Sequence, residues 1–247
     1  MTMQIFLAYY DAYEIDGPSG SGIIKHPLAR RMSPIQRASA SVFIKGREAY
    51  PDFFSSLREN QHIPIIVTTS YGEIEAIHSV ARSVTQSEFP LSPKDFQHSV
   101  ANASSGYLAL TQELHSNIIT LSNGFLSLDK ALYFGAMRLA RMPDPYIVII
   151  HAGEHLWPSG PVAKAEMFVL CREQGGCLNQ ALGLADFKVL RRPFDVCYET
   201  AQVQHHEAAG TLTPCFNLPE DRASHSFDRL VTSATGEALY SRWVRCS

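Results

Sequence analysis

The sequence predicts a layered α/β protein, a sheet with helices on both of its faces, and two observations carry that prediction. Short, uninterrupted apolar runs rich in β-branched residues recur at 64–69 (PIIVTT), 117–121 (NIITL) and 146–151 (YIVIIH); this is the pattern of strands buried on both faces. Between them the period changes to that of a helix. It is clearest over 73–84, where Ile74, Ile77, Val80, Ala81 and Val84 fall on one face. Strands alternating with helical stretches stack as a sheet covered on both sides.

In chain order, residues 3–9 read as a first strand and 11–31, rich in Gly, Pro and Ser, as a long loop. Ser33-Pro34 starts a helix, with Ser as N-cap and Pro at the first helical position; Ile35, Ala38 and Val42 continue it to Gly46. After the strand 64–69 and the helix 73–84, Ser92-Pro93 repeats the device, and Asp95 suits the positive end of the helix dipole. Residues 99–114 form a helix whose small side chains, Ala101, Ala103, Gly106 and Ala109, suit close packing against another backbone. The strand 117–121, a helix over 125–141 and strands over 146–151 and 162–171 complete the alternation. Beyond 172 the pattern weakens to short elements at 187–190, 227–231 and 238–244. These signals divide the chain into an α/β domain, 1–171, and an irregular C-terminal extension, 172–247, packed on the same domain.

Composition excludes several classes. With 45% apolar residues, 18% charged residues and a net charge of −3, the chain lacks the basic face of a nucleic-acid binder. Its one basic cluster, 25–37, is broken by Pro27, Met32 and Ile35. No apolar run approaches the roughly 20 residues that span a bilayer. The first ten residues have no charged n-region, so a cytoplasmic location is expected. Cys171, Cys177, Cys197, Cys215 and Cys246 show no C-x-x-C spacing and fit reduced thiols. No metal or cofactor is expected, and His98 and His115 read as core or surface histidines. His151 to His155 carries no H-E-x-x-H zinc pattern, and His205-His206-Glu207 reads as a solvated loop.

The most informative segment is the junction at Ser122-Asn123-Gly124, where a strand hands over to a helix. Such a turn commonly holds an activated Cys or Ser, because the helix dipole and free backbone N–H groups stabilise negative charge there. Ser122 occupies the position, with no base evident nearby in the sequence.

Several stretches, in order, resemble the N-terminal half of condensing enzymes of the thiolase fold. More narrowly, they resemble the beta-ketoacyl-synthase-like chain length factors of aryl polyene and related polyketide pathways. The matching pieces are Arg30-Arg31-Met32-Ser33, Ile66 through Glu73 (IVTTSYGE), Leu91 through Phe96 (LSPKDF), Ser99 through Gly106 (SVANASSG), and the block 117–154 ending IHAGE. The resemblance spans roughly residues 30–171.

It implies a thiolase-like half-fold, layered α-β-α around a mixed sheet. It puts the nucleophilic Cys of working relatives at Ser122, and no His-Gly-Thr-Gly-like run follows to supply a histidine pair. The implied protein is a non-catalytic chain length factor paired as a heterodimer with a full-length ketosynthase, meeting an acyl carrier protein through that complex. Asn117, Ile118, Ile119, Thr120 and Leu121 carry no charge or Pro to protect an exposed edge, and in relatives this strand pairs across the two-fold axis. Asn102, Phe125, Tyr133, Phe134 and Met137 are the candidates for lining an acyl tunnel or touching the partner. Residues of these types at helical spacing also serve as plain core. Two other readings stand beside this one. In the first, Ser122 is the nucleophile of a small serine acyltransferase or hydrolase, since Ser122-x-Gly124 gives half of a G-x-S-x-G elbow; His98 or His151 would then be the base. In the second, the chain is a homodimeric acyl-binding module.

Overall fold

The computed structural model describes the backbone of residues 5–15, 20, 22–59, 63–86, 91–124, 126–157, 160–172, 182–190, 203–207, 226–232 and 238–245. Side chains are described within that set up to residue 172, apart from 56, 58–59, 154–157 and 160–162. Five strands form the centre of the molecule: β1 (Ile5–Ile15), β2 (Ile65–Thr69), β3 (Ile118–Ser122), β4 (Tyr146–Trp157) and β5 (Gly160–Cys171). Their order is β3-β2-β4-β5-β1. β3, β2 and β4 run parallel, and β5 is antiparallel to both its neighbours. The sheet is therefore mixed, as the resemblance implies.

Side-chain alternation builds two cores from one sheet. Ile65, Val67, Val148, Ile150, Met167 and Val169 face one side, where α1 (Pro34–Ala49), α2 (Pro51–Glu59) and α5 (Ala103–Gln112) cover them. Ile66, Ile147, Ile149, Phe168 and Leu170 face the other, under α6 (Ser127–Arg141). A register shift between Leu7 and Tyr9 turns Ala8 and Tyr9 toward the same core. The result is the three-layer α-β-α arrangement. α3 (Ile74–Thr85) and the short α4 (Pro93–His98) lie outboard, between β2 and α5 in the chain.

Both Ser-Pro starts operate as expected. Ser33 Oγ accepts from the Gln36 N–H while the Gln36 side chain accepts from the Ser33 N–H, a reciprocal capping box. Ser92 Oγ accepts from the Asp95 N–H. α6 begins at Ser127, two residues later than expected, because Gly124 takes a φ of +56° that keeps the turn out of the helix. At Gly135, a Cβ would lie 3.0 Å from Ile149 Cδ1, so this glycine lets α6 settle close on the sheet.

Other expectations are corrected. The first strand does not stop at Tyr9: it runs to Ile15, paired with β5 as far as Ala163. α2 is an addition to the expected elements, although Pro51 at its first position and Asp52 in its first turn are start signals of the kind that mark α1 and α4. α5 is shorter than 99–114, since residues 99–102 form turns before it. Beyond 172, the short element expected at 187–190 lies within β6 (Leu182–Leu190), and His205-His206-Glu207, read as a loop, falls in β7 (Val203–Glu207). Those expected at 227–231 and 238–244 are β8 (Ser226–Thr232) and β9 (Ala238–Arg245). These extend the sheet beyond β1 in the order β6-β9-β8-β7. Among the described residues, no helix is long and apolar enough to cross a membrane.

Candidate functional site

Ser122 is the last residue of β3, at the carboxyl end of the three parallel strands, in register with Thr69 of β2. Crevices beyond the carboxyl ends of parallel strands are where open α/β sheets bind ligands. The turn that follows is closed by its own groups. The Asn123 N–H donates to Ser127 Oγ at 2.7 Å, and that hydroxyl donates to the Gly124 carbonyl at 2.6 Å. Lys130 Nζ donates to Asn123 Oδ1 at 2.9 Å. Asp129 sits buried in the first turn of α6, with its carboxylate near the positive end of the helix.

Ser122 Oγ is placed to donate to the Ser70 carbonyl, at a long 3.4 Å. Strand alternation decides which histidines can approach it. Thr120 shares a 2.7 Å hydroxyl–hydroxyl hydrogen bond with Ser105 on the α5 side, while Leu121 packs on the α6 side, so Ser122 points toward the α5 side. His151 lies between Ile150, on the α1 and α5 side, and Ala152 on that same side, so its ring faces α6. His151 and Ser122 are on opposite faces of the sheet. His98 is buried elsewhere, against Glu73 and Gln36.

On the α6 face, Thr68, His151 and Glu166 occupy one cross-strand row, in register from β2 through β4 to β5. All three are buried. Tyr10 donates its hydroxyl to Glu166 Oε1 at 2.8 Å, and Lys164 Nζ lies 3.7 Å from the same oxygen. This polar row is one of the features that residue-by-residue reading does not reveal.

The remaining site candidates fall in separate places. β3 is the terminal strand of the sheet, and among the described residues it pairs with β2 alone. Ile118, Ile119, Thr120 and Leu121 are half-buried, and Asn117 is exposed. Asn102 is exposed at the start of α5 and its side chain makes no capping hydrogen bond. A Cβ at Gly106 would meet nothing within 4 Å, and Leu110, one turn on, is 63% exposed. α5 is therefore open at Gly106 and Leu110, while Ala103 is buried and Ser105 meets β3 at Thr120. On α6, Leu128, Ala131, Leu132, Gly135, Ala136 and Leu139 are buried, while Tyr133 and Met137 are half-buried and Phe134 is exposed. Phe125 lies outside the described residues.

Sequence reasoning missed a second polar centre. Gln36 Nε2 donates to Glu73 Oε1, and His98 Nδ1 lies 3.0 Å from Glu73 Oε2. Burial pushes the Glu73 carboxyl above the ordinary carboxylate range; the charge of His98 and bonds from Ser33, Gln36 and His98 pull the other way. The capping-box pattern S-x-x-Q marks Gln36, but nothing local links Glu73 to His98, 25 residues away. Among the described residues, no three His, Cys, Asp or Glu side chains gather to hold a metal ion.

A mixed sheet between helical layers, with a strand-turn-helix at the carboxyl end of its parallel strands, defines the thiolase-like class of condensing-enzyme domains. The chain belongs to the family described as "Beta-ketoacyl synthase, N-terminal domain", whose model matches residues 21–160. No curated protein matches it. Among solved structures, it is similar to the ketosynthase ApeO in complex with its chain length factor ApeC from Xenorhabdus doucetiae, at 17% identity and a TM-score of 0.58, covering 99% of this chain and 100% of that one. The ishigamide ketosynthase/chain length factor matches at 10% identity and a TM-score of 0.67 over 100% of both chains. The AntDE:AntF complex, a type II polyketide synthase acyl-carrier protein with its ketosynthase, matches at 11% identity and a TM-score of 0.70, covering 99% of this chain and 100% of that one. At these identities the likeness is one of fold.

Proposed function

We propose that this chain is a chain-length-factor-type subunit. It carries no condensing chemistry of its own, pairs with a ketosynthase and helps shape the acyl tunnel of a polyketide or fatty-acid-like assembly line. The observation that carries this reading is β3, an uncharged terminal strand that ends in Ser122 where working relatives place their nucleophile. An unprotected edge of this kind invites pairing with another chain, and α5, which meets β3 through Ser105 and Thr120, is exposed at Gly106 and Leu110. The acyl carrier protein is met through the complex, and no cofactor is called for. Asn102, Tyr133, Phe134 and Met137 are the residues offered to the tunnel or the partner.

Co-expression with a ketosynthase encoded in the same operon tests the proposal. The two should co-purify across an interface of at least about 2,000 Å². Ile119→Lys, which puts a charge into its centre, should dissociate them. Ser122→Ala should leave product formation by the assembled complex nearly unchanged. A monodisperse monomer that ignores the ketosynthase, or an intact complex silenced by Ser122→Ala, overturns the reading. The serine-hydrolase alternative gains nothing from the fold, because His151 lies across the sheet from Ser122 and the Ser122 hydroxyl is directed at the Ser70 carbonyl rather than at a histidine.

A further inference from the structure

We propose that Gln36, Glu73 and His98 form a pH-sensitive latch that holds the α3–α4 arm against α1, and that the arm loosens as pH rises. The proposal is independent of the chain-length-factor reading.

The arm is poorly anchored by apolar packing. None of the residues of α3 is buried, although five apolar side chains share one of its faces, and its main neighbour is α4. Ser79 on α3 donates to the Asp95 carboxylate on α4 at 2.6 Å, which ties the arm to itself. What ties it to the body is polar. Glu73, immediately before α3, and His98, the last residue of α4, are 4% and 3% exposed, and Gln36 of α1 is fully enclosed between them. The Ser33 hydroxyl at the start of α1 also bonds the Glu73 carboxyl.

The proton count of this centre decides its charge. With one proton shared between Glu73 Oε2 and His98 Nδ1, the pair is neutral overall, His98 carries its other proton on Nε2, and Gln36 Nε2 donates to Glu73 Oε1. Removing the shared proton leaves a net charge of −1, with His98 donating from Nδ1 and Nε2 bare. His98 Nε2 has no hydrogen-bond partner in the structure, and Gln36 Nε2, 3.3 Å from Nδ1, is the neighbour that a proton on Nδ1 meets. A net charge enclosed in protein is far more costly than a neutral pair.

The surrounding charges nearly balance. Arg30 before α1, Arg37 on α1 and Lys94 on α4 line the same cleft of about 470 Å³ as Glu75 on α3 and Asp95 on α4. The Tyr107 ring of α5 packs 5.6 Å from His98. Burial, the largest influence on Glu73, raises it. When the arm opens, the carboxyl regains water and its ordinary value. The open pair therefore gives up this proton at a lower pH than the docked pair, and docking weakens as pH rises between the two values. The titration belongs to the pair rather than to either residue.

Hydrogen–deuterium exchange across pH 5 to 9, corrected for the intrinsic pH dependence of amide exchange, tests this on the full chain. Protection of residues 74–85 should fall with rising pH, by up to tenfold per unit between the open and the docked values and levelling off above the docked one, while residues 34–49 stay unchanged. Glu73→Gln keeps both hydrogen bonds, its amide donating to His98 Nδ1 and its carbonyl accepting from Gln36. It has no carboxyl proton to lose, so the fall of α3 protection with rising pH should disappear. A flat profile in the unaltered protein, or the same slope in Glu73→Gln, overturns the latch. If Glu73→Gln folds poorly, nitrogen NMR of the His98 ring in the unaltered protein serves instead. The move from Nε2–H to Nδ1–H should share its midpoint with the loss of α3 protection, and separate midpoints overturn the proposal.

Discussion

α1 and α3 are both amphipathic, 16 and 12 residues long, yet ten residues of α1 are buried and none of α3 is. The difference lies in their neighbours. α1 crosses the sheet and is enclosed by β5, α5, β1 and α2, so even Gln36, Ser39 and Ser41 are shut away from water. Ser39 answers this by donating to the Ile35 carbonyl at 2.9 Å. α3 presents an equally regular apolar face and meets chiefly α4, itself six residues long. A helical pattern thus makes a helix in both places, and only the surroundings decide whether it becomes core.

The sharpest break in that contrast is a truncation inside α1. Phe43 is fully buried and packs edge-to-face on Phe54, with centroids 5.1 Å apart. Phe43→Ala should cost about 3–5 kcal/mol, read as a lower urea midpoint with an unchanged slope. A loss under about 1 kcal/mol would mean that α1 is not the keystone of its face. The cap of the same helix should matter less. Ser33→Ala removes one half of the capping box and should cost about 0.5–2 kcal/mol. Because Ser33 also bonds Glu73, the same substitution should lower α3 protection; an effect confined to α1 would separate the cap from the latch.

Local signals explain how much was legible in advance. The five central strands and both Ser-Pro helix starts could be read because their causes are local: β-branched runs, an N-cap oxygen and a proline with fixed φ. The site was legible only at Ser122 and along β3, where one strand and one turn suffice. The Glu73–His98 contact and the Thr68–His151–Glu166 row depend on register between distant segments, which no local pattern encodes. The strand expected over 146–151 continues as β4 to Trp157, paired with β5 as far as Gly160. Only residues 187–190 of β6 are legible, because a register shift between Leu184 and Asp186 breaks the alternation that would extend the strand back to Leu182. The face of α5 expected to pack closely is open at Gly106, so small residues there do not reveal what covers them.

The smallest expected effect tests the other half of the comparison. Ile77 and Val84 on α3 are 41% and 53% exposed, and exposed apolar side chains can be exchanged at little cost when no partner covers them. Ile77→Gln and Val84→Gln, singly, should each change the unfolding free energy of the isolated chain by no more than about 0.5 kcal/mol. The reasoning is that neither side chain leaves much water behind on folding, so neither loses much burial when made polar. Because α3 is not among the elements packed on β3, the same variants should also keep whatever affinity the chain has for a ketosynthase. Should either one destabilise the isolated chain by more than about 1.5 kcal/mol, the apolar face of α3 is covered in solution, and the contrast with α1 fails at its weaker end.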